Sequence, residues 1–471
     1  MSTATASVAR TTFWNRNRVG EALAALAREN LPRGTAAFAR VWTDTRTIEP
    51  GDLFVALAGE RFDAHDFLAE AVAKGASGLV VSNAESARAL GVPTYVVPDT
   101  LVALGALATY RRRASGKPVV GVVGTNGKTS TKELLRAALG SILDVHATTG
   151  NLNNLVGVPL TLLALRDEAD VAVVEMGTNQ PGEIPRLRAI VEPNLTVVTS
   201  VAEEHLEGLG DLVGVLREEL SAAEGVAVAV VPASQPEVVD AARTRARRVV
   251  AAGLDAGDVR AEEWKVNPDG SGRLRFSGVD VQVPLRGVHN LRNAMLALAV
   301  ARELGVSMED AARGIAAMAP PPMRANVDQI GSATLINDAY NSNPGSARAA
   351  IELLCHAGAG RQRVAVLATM LELGPQTPRL HEEVARHALD CGVDVIGAIG
   401  EFAAALERIA PGDARVVAAG DVDTLWQRLS SRLSPDAVIL LKGSRGMRLE
   451  RLVAPITDWA RQRAGTAPTA S

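Results

Sequence analysis

The chain of 471 residues contains only two cysteines. Cys355 and Cys391 lack metal-ligand spacing and form no disulfide framework, which points to a reducing compartment and to packing roles for both. No run of about 18 apolar residues occurs, which excludes a transmembrane helix. Residues Met1–Arg10 lack the apolar core of a signal peptide, so the expectation is a soluble, cytoplasmic protein. Neither sign of charge dominates: 49 Lys and Arg stand against 53 Asp and Glu, a formal net charge of −4. Such a balance gives no electrostatic reason to expect nucleic acid or an anionic membrane, so any anion must be held by a local site.

Lysine is scarce as well. Six of the 49 basic residues are lysines and the other 43 are arginines, so each lysine in a special context carries information. Lys128 has such a context. Val119 to Val123 reads as a buried strand, Gly124-Thr125-Asn126-Gly127 as a tight turn, and Lys128-Thr129-Ser130 as a helix start. Glycines let backbone N–H groups approach an anion, a helix N-terminus adds its positive dipole end, Lys128 can reach outer phosphates, and Thr129 can hold Mg²⁺. Five residues instead of the usual four separate Gly121 from Gly127, so the signal rests on Gly124-x-x-Gly127-Lys128-Thr129.

Apolar β-rich runs alternate with Ala/Leu-rich helical stretches, the α/β pattern of parallel sheets covered by helices, and the length suggests about three domains. The expected segments are 1–115, 116–322 and 323–471. The first ends in Arg111-Arg112-Arg113, read as a solvated helix end. Pro320-Pro321-Pro322 separates the other two and is the hinge candidate. The tail from Ala464 is expected to fray.

Two further strands of the middle segment end in groups that suit a nucleotide. Val171–Val174 runs into Glu175, and Leu195–Thr199 leads to Glu203-Glu204-His205. In a parallel sheet, carboxyl ends of strands gather at one edge, so Glu175 and His205 are expected to face the Lys128 loop. Thr129 and Glu175 then offer hard oxygens to one Mg²⁺, with His205 near a second. Taken alone, a His after a strand is more often structural, and a strand-closing Glu is commonly a cap or a surface charge.

These residues, with several longer runs, resemble the Mur ligases over nearly the whole chain. The runs are Thr43-Asp44-Thr45-Arg46, Gly51 to Leu57, Gly59 to Phe67, Gly124 to Ser130, Gly150-Asn151-Leu152-Asn153-Asn154, Glu175-Met176-Gly177 and His205-Leu206-Glu207-Gly208. Gly287-x-His289-Asn290-x-x-Asn293, Asn337 to Pro344, Leu371-Glu372-Leu373-Gly374 and Lys442 to Met447 follow. The resemblance implies a small α/β N-terminal domain, a central P-loop-type mononucleotide-binding sheet and a Rossmann-like C-terminal domain. It implies an ATP-dependent peptide ligase of peptidoglycan precursor synthesis, of the type that adds D-Ala-D-Ala to UDP-muramyl tripeptide. ATP turns the carboxylate into an acyl phosphate, the amine attacks it, and ADP and phosphate leave.

By the same resemblance, Gly124 to Ser130 bind ATP, with Lys128 at the β- and γ-phosphates. Thr129, Glu175 and His205 place Mg²⁺. Asn290 meets the base side, while Arg324, Asp338 and Asn341 close over the nucleotide from the third domain. Asp44 and Arg46 lie at the UDP end, Asn151, Asn153 and Asn154 along the muramyl peptide, and Lys442 and Arg445 receive D-Ala-D-Ala. The implied catalytic set is Lys128, Glu175, His205 and Arg324, in a monomer without nucleic-acid partner or membrane insertion. Where the family carries a lysine that forms a carbamate metal ligand, this chain has Glu219, already a carboxylate and a fourth candidate metal ligand. A solvated helical residue is the plainer reading of Glu219. Ala368-Thr369-Met370 also lacks an acidic residue the family often shows there, which argues against a charge-based role in that run. A sister ligase accepting another amino acid and a non-catalytic nucleotide-binding regulator are the alternatives.

Overall fold

The computed structural model describes residues 13–59 and 62–464. The expectations for Met1–Arg10 and for the tail beyond residue 464 lie outside the described residues, as do positions 60 and 61. Two compact units divide the chain, one of residues 1–122, 143–178 and 182–196, the other of 123–142, 179–181 and 197–471.

The first unit opens with four parallel strands in the order β1 (Val41–Trp42), β2 (Leu53–Val55), β3 (Gly78–Val81), β4 (Thr94–Val96). Every residue of β2 and β3 is buried, as continuous apolar runs in a parallel sheet should be. Phe54, Leu68, Leu79 and Val81 are part of its core. The helix Thr100–Ser115 follows, started by the Asp99 carboxylate on two backbone N–H groups and ended by Gly116 at φ 63°. Its terminal arginines correct the sequence expectation. Arg111 is 1% and Arg112 8% exposed. Arg112 donates to the Val191 and Glu192 carbonyls, both at 3.0 Å, and to Asn194 Oδ1 at 2.8 Å. Arg111 reaches the Leu165 carbonyl and Asp167, and only Arg113 is exposed. Arg112 satisfies carbonyls around the end of helix Glu183–Val191 and Arg111 the Leu165 carbonyl beyond helix Gly157–Leu163, a use no local pattern reveals. Three more parallel strands, β5 (Val119–Val123), β6 (Val145–Ala147) and β7 (Val171–Glu175), run in the order β5-β7-β6.

Strand β8 (Leu195–Val198) leads into the second unit, where β9 (Val228–Pro232), β10 (Val249–Gly253) and β11 (Val259–Arg260) pair in parallel. Helix Val288–Glu303, buried along most of its length, packs on β9, β10 and helix Lys128–Leu139. A meander of β12 (Glu263–Val266), β13 (Gly272–Phe276) and β14 (Val279–Val283) stands beside it, with burial alternating along β13. The last sheet has β15 (Asn326–Ile330), β16 (Ala333–Asp338), β17 (Arg363–Leu367), β18 (Val395–Ile399), β19 (Val416–Ala419) and β20 (Val438–Lys442). Their order is β15-β16-β20-β17-β18-β19, parallel except for the antiparallel edge strand β15. Leu335, Val366, Ile399, Leu441 and Trp459 belong to its core. Among the described residues no helix is long and apolar enough to cross a membrane.

Candidate nucleotide and ligation site

The turn after β5 is shaped by two glycines that no L-residue replaces easily. Gly124 has φ 119°, and a Cβ there would lie 2.4 Å from Thr199 Oγ1 and 2.8 Å from the Ser200 carbonyl. Gly127 has φ 87°, with a Cβ position 2.8 Å from Asn293 Nδ2. Residues after β8 stitch the turn in place. The Thr199 hydroxyl donates to the Asn126 carbonyl at 2.6 Å, the Thr125 N–H to the Ser200 carbonyl at 2.8 Å, and the Asn126 N–H to Ser200 Oγ at 3.0 Å. Helix Lys128–Leu139 starts on this turn, so the N–H groups of its first turn, which have no acceptor within the helix, open toward the loop.

The Lys128 ammonium donates to the Gly124 carbonyl and, at 3.1 Å, to that of Thr125. Below it lies Glu219, on helix Leu212–Leu220, 3% exposed and accepting the Gly124 N–H at 2.8 Å. The solvated reading of Glu219 is therefore wrong. Burial pushes its carboxyl above the usual range, against the pull of Lys128 and the Gly124 N–H.

The C-terminal segment reaches the same loop. Asn126 and Asn343 exchange amide hydrogen bonds of 3.2 and 2.8 Å, and Asn343 also caps helix Pro344–Ala357. Arg324 donates to Thr129 Oγ1 at 3.4 Å and stacks over the Tyr340 ring at 4.2 Å. Asn341 donates to Glu204 Oε1 at 3.1 Å, and the Glu372 carboxylate sits on His205 Nδ1. Backbone strain gathers here: seven described non-glycine residues have positive φ, and four of them are His205, Glu372 and the two neighbours of Arg324, Met323 and Ala325.

Other expected site residues are used inside the protein. The Asn290 amide, 4% exposed, bonds the Arg286 carbonyl at 2.8 Å, His289 and Asn293, and so forms the floor under Gly127. Lys442, expected to receive the dipeptide, is 3% exposed and paired with Asp338 at 2.8 Å and the Asn341 carbonyl at 2.6 Å, so its charge is neutralised locally. Arg445 is exposed, 3.7 Å from Glu450. Ser130 is buried on the helix start.

In the first unit, Glu175 is 2% exposed and its Oε1 accepts from Asn153 Nδ2 at 2.9 Å. Asn154 Oδ1 accepts the Gly157 N–H at 2.8 Å and the Val156 N–H at 3.1 Å where helix Gly157–Leu163 begins, and Asn151 lies in the exposed turn before it. Asp44 holds the exposed Arg46 guanidinium at 2.7 Å, which keeps the Asp44 carboxyl below its usual range. Residues the sequence reading left without a role are Asn293, Asn343 and Glu372; all three stand inside quoted motifs, but nothing in their spacing discloses the partner.

A glycine cradle with a lysine, a threonine and a stacked arginine defines a class of enzyme that activates substrates with a nucleoside triphosphate. Family models agree: Mur ligase family, catalytic domain, matches residues 38–138; Mur ligase middle domain, 122–301; and Mur ligase, glutamate ligase domain, 323–445. The chain belongs to the Mur ligase family. Within it, the chain is 35% identical over 430 residues to the UDP-N-acetylmuramoyl-tripeptide–D-alanyl-D-alanine ligase of Escherichia coli (strain K12), covering 89% of this chain and 93% of that one. Among solved structures, MurF from Acinetobacter baumannii superposes with a TM-score of 0.84 at 32% identity, over 94% of this chain and 99% of that one. MurF ligase from Thermotoga maritima in complex with ADP gives 0.78 at 26% identity, over 90% and 98%.

Proposed function

We infer that the chain is an ATP-dependent amide ligase that adds D-Ala-D-Ala to UDP-N-acetylmuramoyl-tripeptide in peptidoglycan synthesis. The single observation that carries the reading is the Gly124–Thr129 cradle, contacted at Thr129 by Arg324 of the C-terminal segment, in a chain that matches such ligases nearly end to end. Joining a carboxylate to an amine needs activation, and an acyl phosphate supplies it. Backbone N–H groups of the turn and the helix N-terminus hold the phosphates, and Lys128 moves from the loop carbonyls to the β- and γ-phosphate oxygens. Arg324, fixed by Tyr340 and the strained backbone around it, offers its remaining N–H groups to the transferring phosphoryl group.

The donor set fits Mg²⁺, which takes one or two protein oxygens and fills its shell with phosphate and water. In this reading the Thr129 hydroxyl would be one hard oxygen for it and the Glu175 carboxylate a further candidate, and the ion would supply neutralisation of charge on the transferring phosphate. His205 is the candidate for a second ion. Glu219 acts as the anion that fixes the Gly124 amide and balances Lys128. Asn290 supports the loop, and Asp338, Asn341 and Lys442 form one polar cluster beside the nucleotide. Arg445 remains the exposed cation for the dipeptide carboxylate, Asp44 and Arg46 serve the UDP end, and Asn151, Asn153 and Asn154 line the muramyl peptide. Segments 1–115, 116–322 and 323–471 are the domains of this reading, with Pro320–Pro322 as hinge, in a cytoplasmic monomer.

The test is ADP release with UDP-muramyl tripeptide, with and without D-Ala-D-Ala. Release that requires both substrates supports the reading; no release, or release with a different amino acid instead, refutes it.

A further inference from the structure

The contact between Glu372 and His205 joins two segments 167 residues apart, and both residues sit in the left-handed region, at φ 64° and 54°. Charge pairs at a surface usually wander, because two flexible side chains must be held in one geometry. Here the backbone beneath the carboxylate is tied at three consecutive residues. The Met370 N–H donates to His381 Nε2 at 2.9 Å, the Leu371 N–H to Ser444 Oγ at 3.0 Å, and the Glu372 carbonyl accepts the Glu207 N–H at 3.1 Å. His381 is fully buried, edge-on to Phe402 at 4.7 Å. Its Nδ1 lies 2.7 Å from the Thr377 carbonyl, which can only accept, so the ring proton is on Nδ1 and Nε2 is the acceptor for Met370. Gly374, at φ 54°, closes the turn against Glu207.

We propose that Glu372 is a positioning residue whose carboxylate keeps the His205 proton on Nδ1, leaving the Nε2 lone pair for a divalent cation. A carboxylate on the far nitrogen of an imidazole fixes both tautomer and ring direction, and losing it commonly weakens metal binding about 10- to 100-fold. On the other side of the ring, Nε2 lies 3.8 Å from Glu204 Oε2, an anionic neighbour for the same cation. His381 and Ser444 act one step further back, by holding the loop that presents the carboxylate. This assignment rests on the ligase reading above for its purpose, not for its geometry.

The test uses the full chain labelled with ¹⁵N-histidine, without nucleotide, at a pH where histidines are neutral, with the His205 signal identified by its loss in H205Q. The native protein is expected to show the Nδ1–H tautomer at His205. Glu372→Ala should shift the signal toward Nε2–H and weaken Mn²⁺ binding in the presence of ADP about tenfold or more. Glu372→Gln, which keeps an acceptor oxygen, should retain the tautomer. Glu372→Gly removes the carboxylate while relieving the left-handed backbone, so it should reproduce the alanine result in a protein at least as stable as the native one. A His205 signal and Mn²⁺ affinity unchanged in both Glu372→Ala and Glu372→Gly would overturn the proposal. Absence of ADP release by the native chain would refute the ligase reading instead, and would leave the tautomer comparison standing.

Discussion

Replacing Gly127 by alanine tests the cradle where its geometry is tightest. The new Cβ would lie 2.8 Å from Nδ2 and 2.9 Å from Oδ1 of Asn293, at a backbone φ of 87°. Left-handed backbone costs an L-residue about 1–2 kcal/mol. Asn293 has little room to retreat, because it is 6% exposed and its Nδ2 donates to Asn290 Oδ1 at 3.1 Å. Displacing that amide leaves a buried polar group unpaired, at about 1–3 kcal/mol. The sum, about 2–5 kcal/mol, predicts a fall in kcat/KM for ATP of roughly 30-fold to several thousand-fold, followed by coupled ADP release. The steric part has its own control: Asn293→Ala removes the obstructing amide. In a G127A/N293A protein the loss should be smaller than the sum of the two single losses by about 1 kcal/mol or more. Strictly additive losses would show that Gly127 and Asn293 do not collide, and the account of the loop floor would fail.

Four further outcomes follow from other features of the structure. Glu219→Ala strands the buried Gly124 N–H and uncouples Lys128, so ATP turnover should drop about 10- to 100-fold. ADP release should be the same in bicarbonate-free and bicarbonate-containing buffer, and full activity in Glu219→Gln would remove the carboxylate role. Arg112→Ala removes the donor from the Val191 and Glu192 carbonyls at the end of helix Glu183–Val191, while Asn194 Oδ1 keeps the Val119 N–H, and should destabilise the first unit by about 2–4 kcal/mol in denaturant; an unchanged midpoint would refute the capping role. Stability should also fall on acidification. Burial is the largest influence on His146, His289 and His381 and depresses each below its ordinary 6.5. Below that value the unfolded chain takes up protons that the folded one refuses, so this contribution is present above it and lost as pH falls from 6.5 toward the folded values. A melting temperature that is flat or rises between about pH 7.5 and about pH 5.5 would contradict it.

Legibility followed the range of the interactions. The cradle could be read from sequence because strand, turn and helix are contiguous and each glycine has a local backbone reason. The α/β class was equally open, since β2, β3, β5 and β7 are continuous apolar runs. Glu219 could be located by counting but not interpreted, because its partner Gly124 lies 95 residues away. Glu372 was undetectable as a site residue for the same reason, and the missing acid beside it turned attention away from charge in that run. Arg111 and Arg112 were misread because a helix-terminal arginine run is usually solvated, and only tertiary packing supplies the carbonyls they reach. Lys442 looked like a substrate cation until Asp338 appeared across from it on the neighbouring strand.

The reciprocal amide pair of Asn126 and Asn343 bears on chemical ageing. An asparagine deamidates when the following backbone nitrogen attacks its side-chain carbonyl, and Asn-Gly is the most vulnerable pairing because glycine shields that nitrogen least. Asn126 precedes Gly127 in the middle of the nucleotide loop, where a new carboxylate would repel phosphate. Holding its carboxamide in two hydrogen bonds keeps it from turning onto its own backbone. The partner is protected by a different route, since Asn343 precedes Pro344, whose nitrogen carries no hydrogen and cannot close the ring. The clasp thus sets how long the loop keeps its charge, as well as its shape.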